Sequence, residues 1–210
     1  MKKQLLFLAL FVGIWANTQA QTPVGIFESH ADIGPVLHPG VASHDNAART
    51  YALSGAGANI WFKKDELHFA WKKIKGDFLI TTQPTLEGQG VDPHRKSGWM
   101  ARTSLDTSAA MVSLTVHGDG LTAFQYRKKN GTNIEEVKIP MVGADILQLE
   151  RRGCSYFVSV AKLGMPFWTV EVPDFDFPEE LMVGLFISSH NKDVVEKGYF
   201  KETRIFTAVK

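Results

Sequence analysis

The segment His117–Lys128, HGDGLTAFQYRK, places a histidine, a glutamine and an arginine between apolar residues. An imidazole can take up or release a proton near neutral pH, and an amide and a guanidinium donate directed hydrogen bonds. Side chains of a β-strand alternate between two faces. The spacing therefore predicts a hairpin in which His117, Gln125 and Arg127 share one face.

The register of this hairpin depends on its loop. A three-residue loop at 118–120 sets Ser113 opposite Gln125 and Met111 opposite Arg127, whereas a two-residue loop mixes polar and apolar side chains on each face. Because a slip of one residue turns every side chain to the other face, we predict the three-residue loop. The opposite face is then apolar and comprises Val112, Leu114, Val116, Thr122, Phe124 and Tyr126.

Two other segments extend the polar face. Arg102 alternates with Trp99 and Ala101, which we assign to the core, and His190 follows the alternating segment LMVGLFISSH. The predicted ligand-binding residues are Arg102, His117, Gln125, Arg127 and His190. Such groups suit a glycan or another polyhydroxylated ligand, while an ordinary solvated sheet face remains the alternative. We expect Arg127→Ala to weaken ligand binding with little change in stability.

The rest of the chain has the same alternation. Turn residues such as Asn130-Gly131 and Arg152-Gly153 separate short strand patterns, and no segment of twelve or more residues has a convincing helical period. This pattern predicts an all-β antiparallel sandwich or barrel. Strands are predicted near residues 50–53, 58–61, 67–74, 77–86, 98–105, 110–117, 121–128, 135–139, 145–151, 156–162, 167–171, 181–189 and 199–207. The longest polar connection, residues 87–97, is a candidate functional loop.

The first twenty residues have the features of an export signal. Lys2 and Lys3 precede an apolar run that ends near Trp15, and small residues flank the expected cleavage point at Ala20. We therefore predict a signal peptide at 1–20, one domain at 21–210, and a periplasmic or secreted protein. No later stretch approaches the roughly 20 apolar residues of a membrane span, and the single cysteine excludes an internal disulfide.

Charge and motifs predict few other partners. Without Lys2 and Lys3, 21 basic residues face 22 acidic ones, a formal charge of −1 with no basic stripe for nucleic acid. No histidine pair or compact cluster has metal-ligand spacing, so no metal or cofactor is predicted; calcium binding through the loop residues Asp92 and Asp119 stays open. Glycoside hydrolysis usually needs two carboxyl groups. From the alternation of its strand, Glu150 is the best candidate for a carboxyl group on the polar face. An enzyme that uses His117 or His190 as a general base remains an alternative. Among the tryptophans, Trp61 is the best candidate for an aromatic ring on which a sugar could pack.

Several segments resemble a known family. GANIWFKKDELHFAWKKIKGDF, VDPHRKSGWMARTSLDTSAA, HGDGLTAFQYRK, LERRG and VGLFISSHNKDVVEKGYF are similar to segments of DUF1349-like, concanavalin A-like lectin/glucanase domains, which also occur attached to TolB-like envelope proteins. The resemblance implies a jelly-roll β-sandwich with a concave binding face. It implies less about function, since such folds include lectins, glycanases and interaction domains. The expected role is carbohydrate binding or envelope recognition; the alternatives are a glycoside hydrolase or lyase and a protein-interaction domain. The oligomeric state stays open.

Overall fold

A computed structural model describes residues 22–207, so the predicted export signal at 1–20 lies outside the described residues. These residues contain strands and loops but no helix, and hence no helix that could cross a membrane. The strands are β1 (Ser29–Ile33), β2 (Val41–Asp45), β3 (Thr50–Gly57), β4 (Ile60–Trp61), β5 (Lys64–Asp65), β6 (Leu67–Lys75), β7 (Phe78–Leu86), β8 (Lys96–Arg102), β9 (Met111–His117), β10 (Thr122–Arg127), β11 (Glu135–Lys138), β12 (Ile146–Arg152), β13 (Ser155–Ala161), β14 (Trp168–Val172), β15 (Glu180–Ser188) and β16 (Asn191–Thr207).

Two seven-stranded antiparallel sheets form a sandwich. The front sheet has the order β1-β6-β15-β8-β9-β10-β11, and the back sheet has the order β14-β13-β12-β7-β16-β3-β2. Strands β4 and β5 pair only with each other and form a separate hairpin. Each sheet combines strands that are consecutive in sequence, such as β8-β9-β10-β11, with neighbours that are distant in sequence, such as β6-β15 and β7-β16, as in a jelly roll. The predicted fold class, an antiparallel jelly-roll β-sandwich, is confirmed.

The hairpin of β9 and β10 has the predicted register. Gln125 pairs with Ser113 and Arg127 pairs with Met111. The turn closes where the Gly120 amide donates to the His117 carbonyl oxygen at 3.0 Å, and Gly120 takes a positive φ of 90°, which glycine adopts without steric cost. The apolar face of this hairpin packs between the two sheets, where Phe124 is fully buried.

Three strands were not predicted from the sequence. Edge strands β1 and β2 each contain a serine, a histidine and an aspartate among five residues, and β5 is only two residues long. Strand β16 also begins at Asn191 rather than near Tyr199. Edge strands bury little surface, so their apolar periodicity is too weak to detect.

The outer face of the front sheet is largely covered. A second apolar cluster lies there, separate from the core between the sheets, and it joins Ile60 of the β4–β5 hairpin to Phe69, Met100 and Phe186 of the sheet. The hairpin thus lies over the face that the sequence predicts to be open. Only part of that face remains accessible.

Candidate functional site

The predicted polar residues lie at two ends of the same sheet face. Along β8 the outward side chains run from Lys96 to Arg102, six residues apart, which is about 20 Å of extended strand. Lys96 pairs with His117 at one end, and Arg102 pairs with Met111, the neighbour of Arg127, at the other. The five predicted site residues therefore do not form one cluster.

The arginine end is a buried ionic cluster. Asp65 of β5 lies between Arg102 and Arg127, and all three side chains are 0% exposed. The Arg127 guanidinium donates to both Asp65 carboxylate oxygens at 2.9 Å, and Arg102 Nη2 lies 3.4 Å from Asp65 Oδ2. This cluster holds the β4–β5 hairpin on the sheet.

Arg127 has no donor left for a ligand. Its guanidinium also donates to the backbone carbonyl oxygens of Phe62, Ala109 and Thr132 at 2.8 to 3.0 Å, so all five N–H groups are used. Arg102 likewise donates to the carbonyl oxygens of Ser104 and Asp106. We therefore correct the predicted ligand-binding role of Arg102 and Arg127 to a structural one, because neither side chain is exposed.

The opposite end of the face contains an open pocket of about 280 Å³. The predicted residues His117, Gln125 and His190 line it, and Trp61, the predicted platform, forms part of its wall. The pocket also contains residues that were not assigned to a site from the sequence: Asn59, His94, Lys96, Leu121, Glu136 and Lys138.

Gln125, which lines this pocket, has an unpaired acceptor. Its Nε2 donates to Glu136 Oε2 at 2.7 Å, and its Oε1 is buried with no hydrogen-bond partner among the described residues. The side chain is 1% exposed. Since a buried polar atom without a partner is costly, a ligand hydroxyl that donates to Oε1 would relieve this cost.

His117 is held in one neutral tautomer. Its Nδ1 lies 3.0 Å from the Leu121 carbonyl oxygen, which can only accept, so Nδ1 carries the hydrogen and Nε2 is an acceptor. Burial, and then the nearby charge of Lys96, lower the pKa of His117 to about 4. At neutral pH the imidazole can therefore accept a proton or a hydrogen bond at Nε2.

The predicted functional loop supplies the pocket rim. Arg95 fixes it through a buried ion pair of 2.6 Å with Glu196 and a 2.7 Å hydrogen bond to the Glu87 carbonyl oxygen. His94 lies on this rim, with its ring centroid 5.4 Å from that of His190. Arg95 therefore holds the loop to its own first residue and to β16, and the loop brings a third imidazole to the pocket.

Lys96 is the least expected member of the pocket. Its side chain is 3% exposed, and its Nζ donates to Asn59 Oδ1 at 3.3 Å. Burial lowers the pKa of Lys96 to about 8, an effect that nearby carboxylates only partly offset. The sequence places Lys96 in a polar loop, two residues before the predicted strand, and lysines in such loops are normally solvated.

A second depression adjoins the pocket. It lies along the β4–β5 hairpin. Asn59 and Trp61 line the pocket as well as this depression. Trp61 is partly exposed between them. A ligand of several rings could therefore extend from the pocket across the face of this indole.

The carboxylate predicted for the groove lies elsewhere. Glu150 is on β12 of the back sheet, where Arg152 donates to both of its oxygens at 2.7 and 2.9 Å. Glu136 of β11 takes the position in the pocket instead. The sequence predicted a strand near 135–139 but gave no basis for assigning its faces, since Glu135 and Glu136 are adjacent.

A separate polar chain joins β1 to β6. His30 Nδ1 lies 3.0 Å from His68 Nε2, and His68 Nδ1 lies 2.7 Å from Asp32 Oδ1. Asp32 also accepts the Gly40 amide, so the chain ties an edge loop to the sheet. Within residues 22–207, no group of three or more His, Cys, Asp or Glu is arranged to hold a metal ion.

Comparison with known proteins places the fold in the concanavalin A-like class. The chain is similar over 81% of its length to a functionally unknown protein from Saccharomyces cerevisiae, with 93% of that chain covered, a TM-score of 0.62 and 12% identity. It is similar over 88% of its length to the carbohydrate-binding module CBM66 from Bacillus subtilis, with 100% covered, a TM-score of 0.56 and 15% identity. A Bacillus licheniformis β-glucanase is similar over 80% of this chain and 82% of its own, with a TM-score of 0.50 and 14% identity.

These likenesses establish the fold and no more. No family model matches the sequence, and no curated protein matches it significantly. The resemblance to DUF1349-like domains therefore stays a prediction, whereas the concanavalin A-like sandwich is established.

Proposed function

We propose that this protein is a carbohydrate-binding module that holds a glycan in the end pocket of the front sheet, beside Trp61. The observation that carries the proposal is that one pocket is lined by Gln125, whose buried Oε1 has no partner among the described residues, by His117, whose Nε2 is an acceptor, and by Trp61. A sugar offers both the hydroxyl donors and the apolar ring face that this combination requires.

The structural neighbours support this proposal. One of them is a carbohydrate-binding module and another is a β-glucanase. The fold itself hosts many functions, so the argument depends on the pocket. We also retain the proposal that the mature protein is periplasmic or secreted, where extracellular glycans are accessible; it rests on residues 1–20 alone.

The test is a glycan-array screen of residues 21–210, followed by titration calorimetry with each glycan that binds. We expect Trp61→Ala to weaken binding roughly tenfold or more, because an aromatic side chain of this size contributes about 1.5 to 3 kcal/mol of apolar contact. Trp168→Ala is the matched control, since Trp168 is also partly exposed but lies on β14 of the back sheet. Equal affinities of the two variants, or no binding to any glycan, would contradict the proposal.

A carbohydrate-active enzyme is the second candidate, because His117 presents an unprotonated Nε2 at neutral pH in the same pocket. The pocket lining contains one carboxylate, Glu136, whereas most glycoside hydrolases use two. A lyase needs a base to remove a proton from the sugar ring and requires no second carboxylate. Incubation of bound glycans with the protein and analysis for shortened or unsaturated products distinguishes catalysis from binding.

A further inference from the structure

Lys96 is a buried cation with almost no partner. Its one hydrogen bond to a residue within 22–207 is the long contact with Asn59, and no described carboxylate lies within ion-pair distance. An ammonium has three donors, so two of them have no acceptor among the residues that the structure describes. Buried lysines are normally paired, which makes this arrangement unusual.

The carboxylates of Glu136, Asp65 and Asp92 favour the charged form of Lys96, but they offset its burial only in part. Glu136 accepts the Gln125 amide, Lys138 adds a second ammonium at the rim, and His117 is neutral above a pKa of about 4. Further out, Asp92 lies 3.2 Å from His190 Nδ1. The pocket therefore contains two ammonium groups and one carboxylate, and that carboxylate is already hydrogen-bonded.

We propose that the pocket selects an acidic saccharide, a sugar that bears a carboxylate or a sulfate ester, and that Lys96 binds the anionic group. Gln125 Oε1 and His117 Nε2 then accept hydroxyl hydrogens, and Trp61 packs on the ring. This inference rests on the proposed glycan binding and adds the chemical class of the ligand. A charge-assisted hydrogen bond in a buried site is stronger than a neutral one, so the anion supplies the selectivity.

The experiment uses an array in which each uronic acid oligosaccharide is matched by its methyl ester and by the neutral hexose oligosaccharide of the same linkage. Sulfated oligosaccharides and their desulfated forms provide a second arm, which separates the two sources of the anion. We expect the acidic member of a pair to bind roughly tenfold or more tightly than its neutral partner. Lys96→Met should remove this difference, whereas Lys201→Met, an exposed lysine on β16 outside the pocket, should preserve it.

The outcomes separate the two proposals. If neutral and acidic members bind equally to the wild-type protein, or if Lys96→Met keeps the acidic preference, the inference fails while glycan binding stands. If no saccharide binds, both proposals fail. If sodium acetate or sodium sulfate alone competes as well as the acidic saccharide, the pocket is a simple anion site and the inference is overturned. Circular dichroism of Lys96→Met confirms that any loss of binding is not a loss of the fold.

Discussion

Lys96, which we propose to bind an anion, is expected to reduce the stability of the fold. Burial lowers the pKa of Lys96 from its usual value of 10.5 to about 8. The carboxylates of Asp65, Asp92 and Glu136 offset part of this effect. His117 adds no charge at neutral pH. Between pH 8 and 10.5 the unfolded chain holds the Lys96 proton more tightly than the folded chain. Lys96 therefore makes the free energy of unfolding rise with pH across this window, and its destabilising effect, roughly 3 kcal/mol, is fully present below pH 8.

At the residue scale we therefore predict that Lys96→Met raises the free energy of unfolding at pH 7 by about 1 to 3 kcal/mol. Methionine has a similar length without the charge, and Asn59 Oδ1 keeps the hydrogen bond that it accepts from the Ile60 amide. Urea unfolding at pH 7 and at pH 10 measures the effect, which should shrink at the higher pH. Lys201→Met should change stability by less than about 0.5 kcal/mol, and a destabilised Lys96→Met would refute the argument.

The β4–β5 hairpin is the element that converts an open sheet face into a pocket. Two short strands are marginal by themselves, so the hairpin depends on its attachment to the front sheet. Asp65 provides this attachment through Arg102 and Arg127, and Ile60 packs in the apolar cluster beneath. Trp61 lies on the same hairpin, and the ionic cluster therefore positions one wall of the pocket without contacting a ligand.

At the element scale we predict that Arg127→Met lowers the free energy of unfolding by about 3 to 5 kcal/mol, because it leaves a buried carboxylate poorly paired. Hydrogen exchange at the amides of Ile60 and Asp65 should also become faster as the hairpin loosens. Arg152→Met is the control, since its ion pair with Glu150 is exposed and such pairs contribute little. If denaturant unfolding shows equal effects for both variants, the cluster is not the anchor.

The whole molecule is stabilised by the apolar layer between its two sheets. Phe124 of the front sheet is fully buried and lies 6.4 Å, between ring centroids, from Tyr156 of the back sheet and 6.3 Å from Phe175. Cys154 is a free, exposed cysteine, so packing rather than a disulfide within the described residues joins the sheets. The pocket lies on the outer side of the front sheet, and none of its lining residues belongs to this layer.

At the scale of the molecule we predict that Phe124→Ala lowers the free energy of unfolding by roughly 3 to 5 kcal/mol through the cavity it leaves. Phe167→Ala provides the comparison, because that ring is exposed near the edge of the back sheet and its loss should change stability by less than about 0.5 kcal/mol. Guanidinium unfolding measures the difference in free energy between the two variants, provided that the dependence of that free energy on denaturant concentration is the same for both. A negligible effect at Phe124 would mean that the sheets do not pack as described.

Local alternation was a reliable guide to the faces of the hairpin. The register of β9 and β10 follows from the sequence because a one-residue slip would turn polar side chains into the apolar layer between the sheets, and the structure confirms it. The same reasoning placed Arg102, Arg127 and His117 on one face correctly. It did not separate them along the strand, although the predicted register already set His117 near the turn and Arg127 at the far end.

The sequence by itself determined the all-β sandwich, the inward and outward faces of its central hairpin, and the presence of Trp61, His117, Gln125 and His190 as candidate binding residues. Only the tertiary structure decided that Asp65 buries the two arginines and that Lys96 lies inside a pocket. The physical reason is that strand periodicity records which side of a sheet a residue faces. What covers that side depends on contacts between segments far apart in the chain, and a period of two carries no information about them.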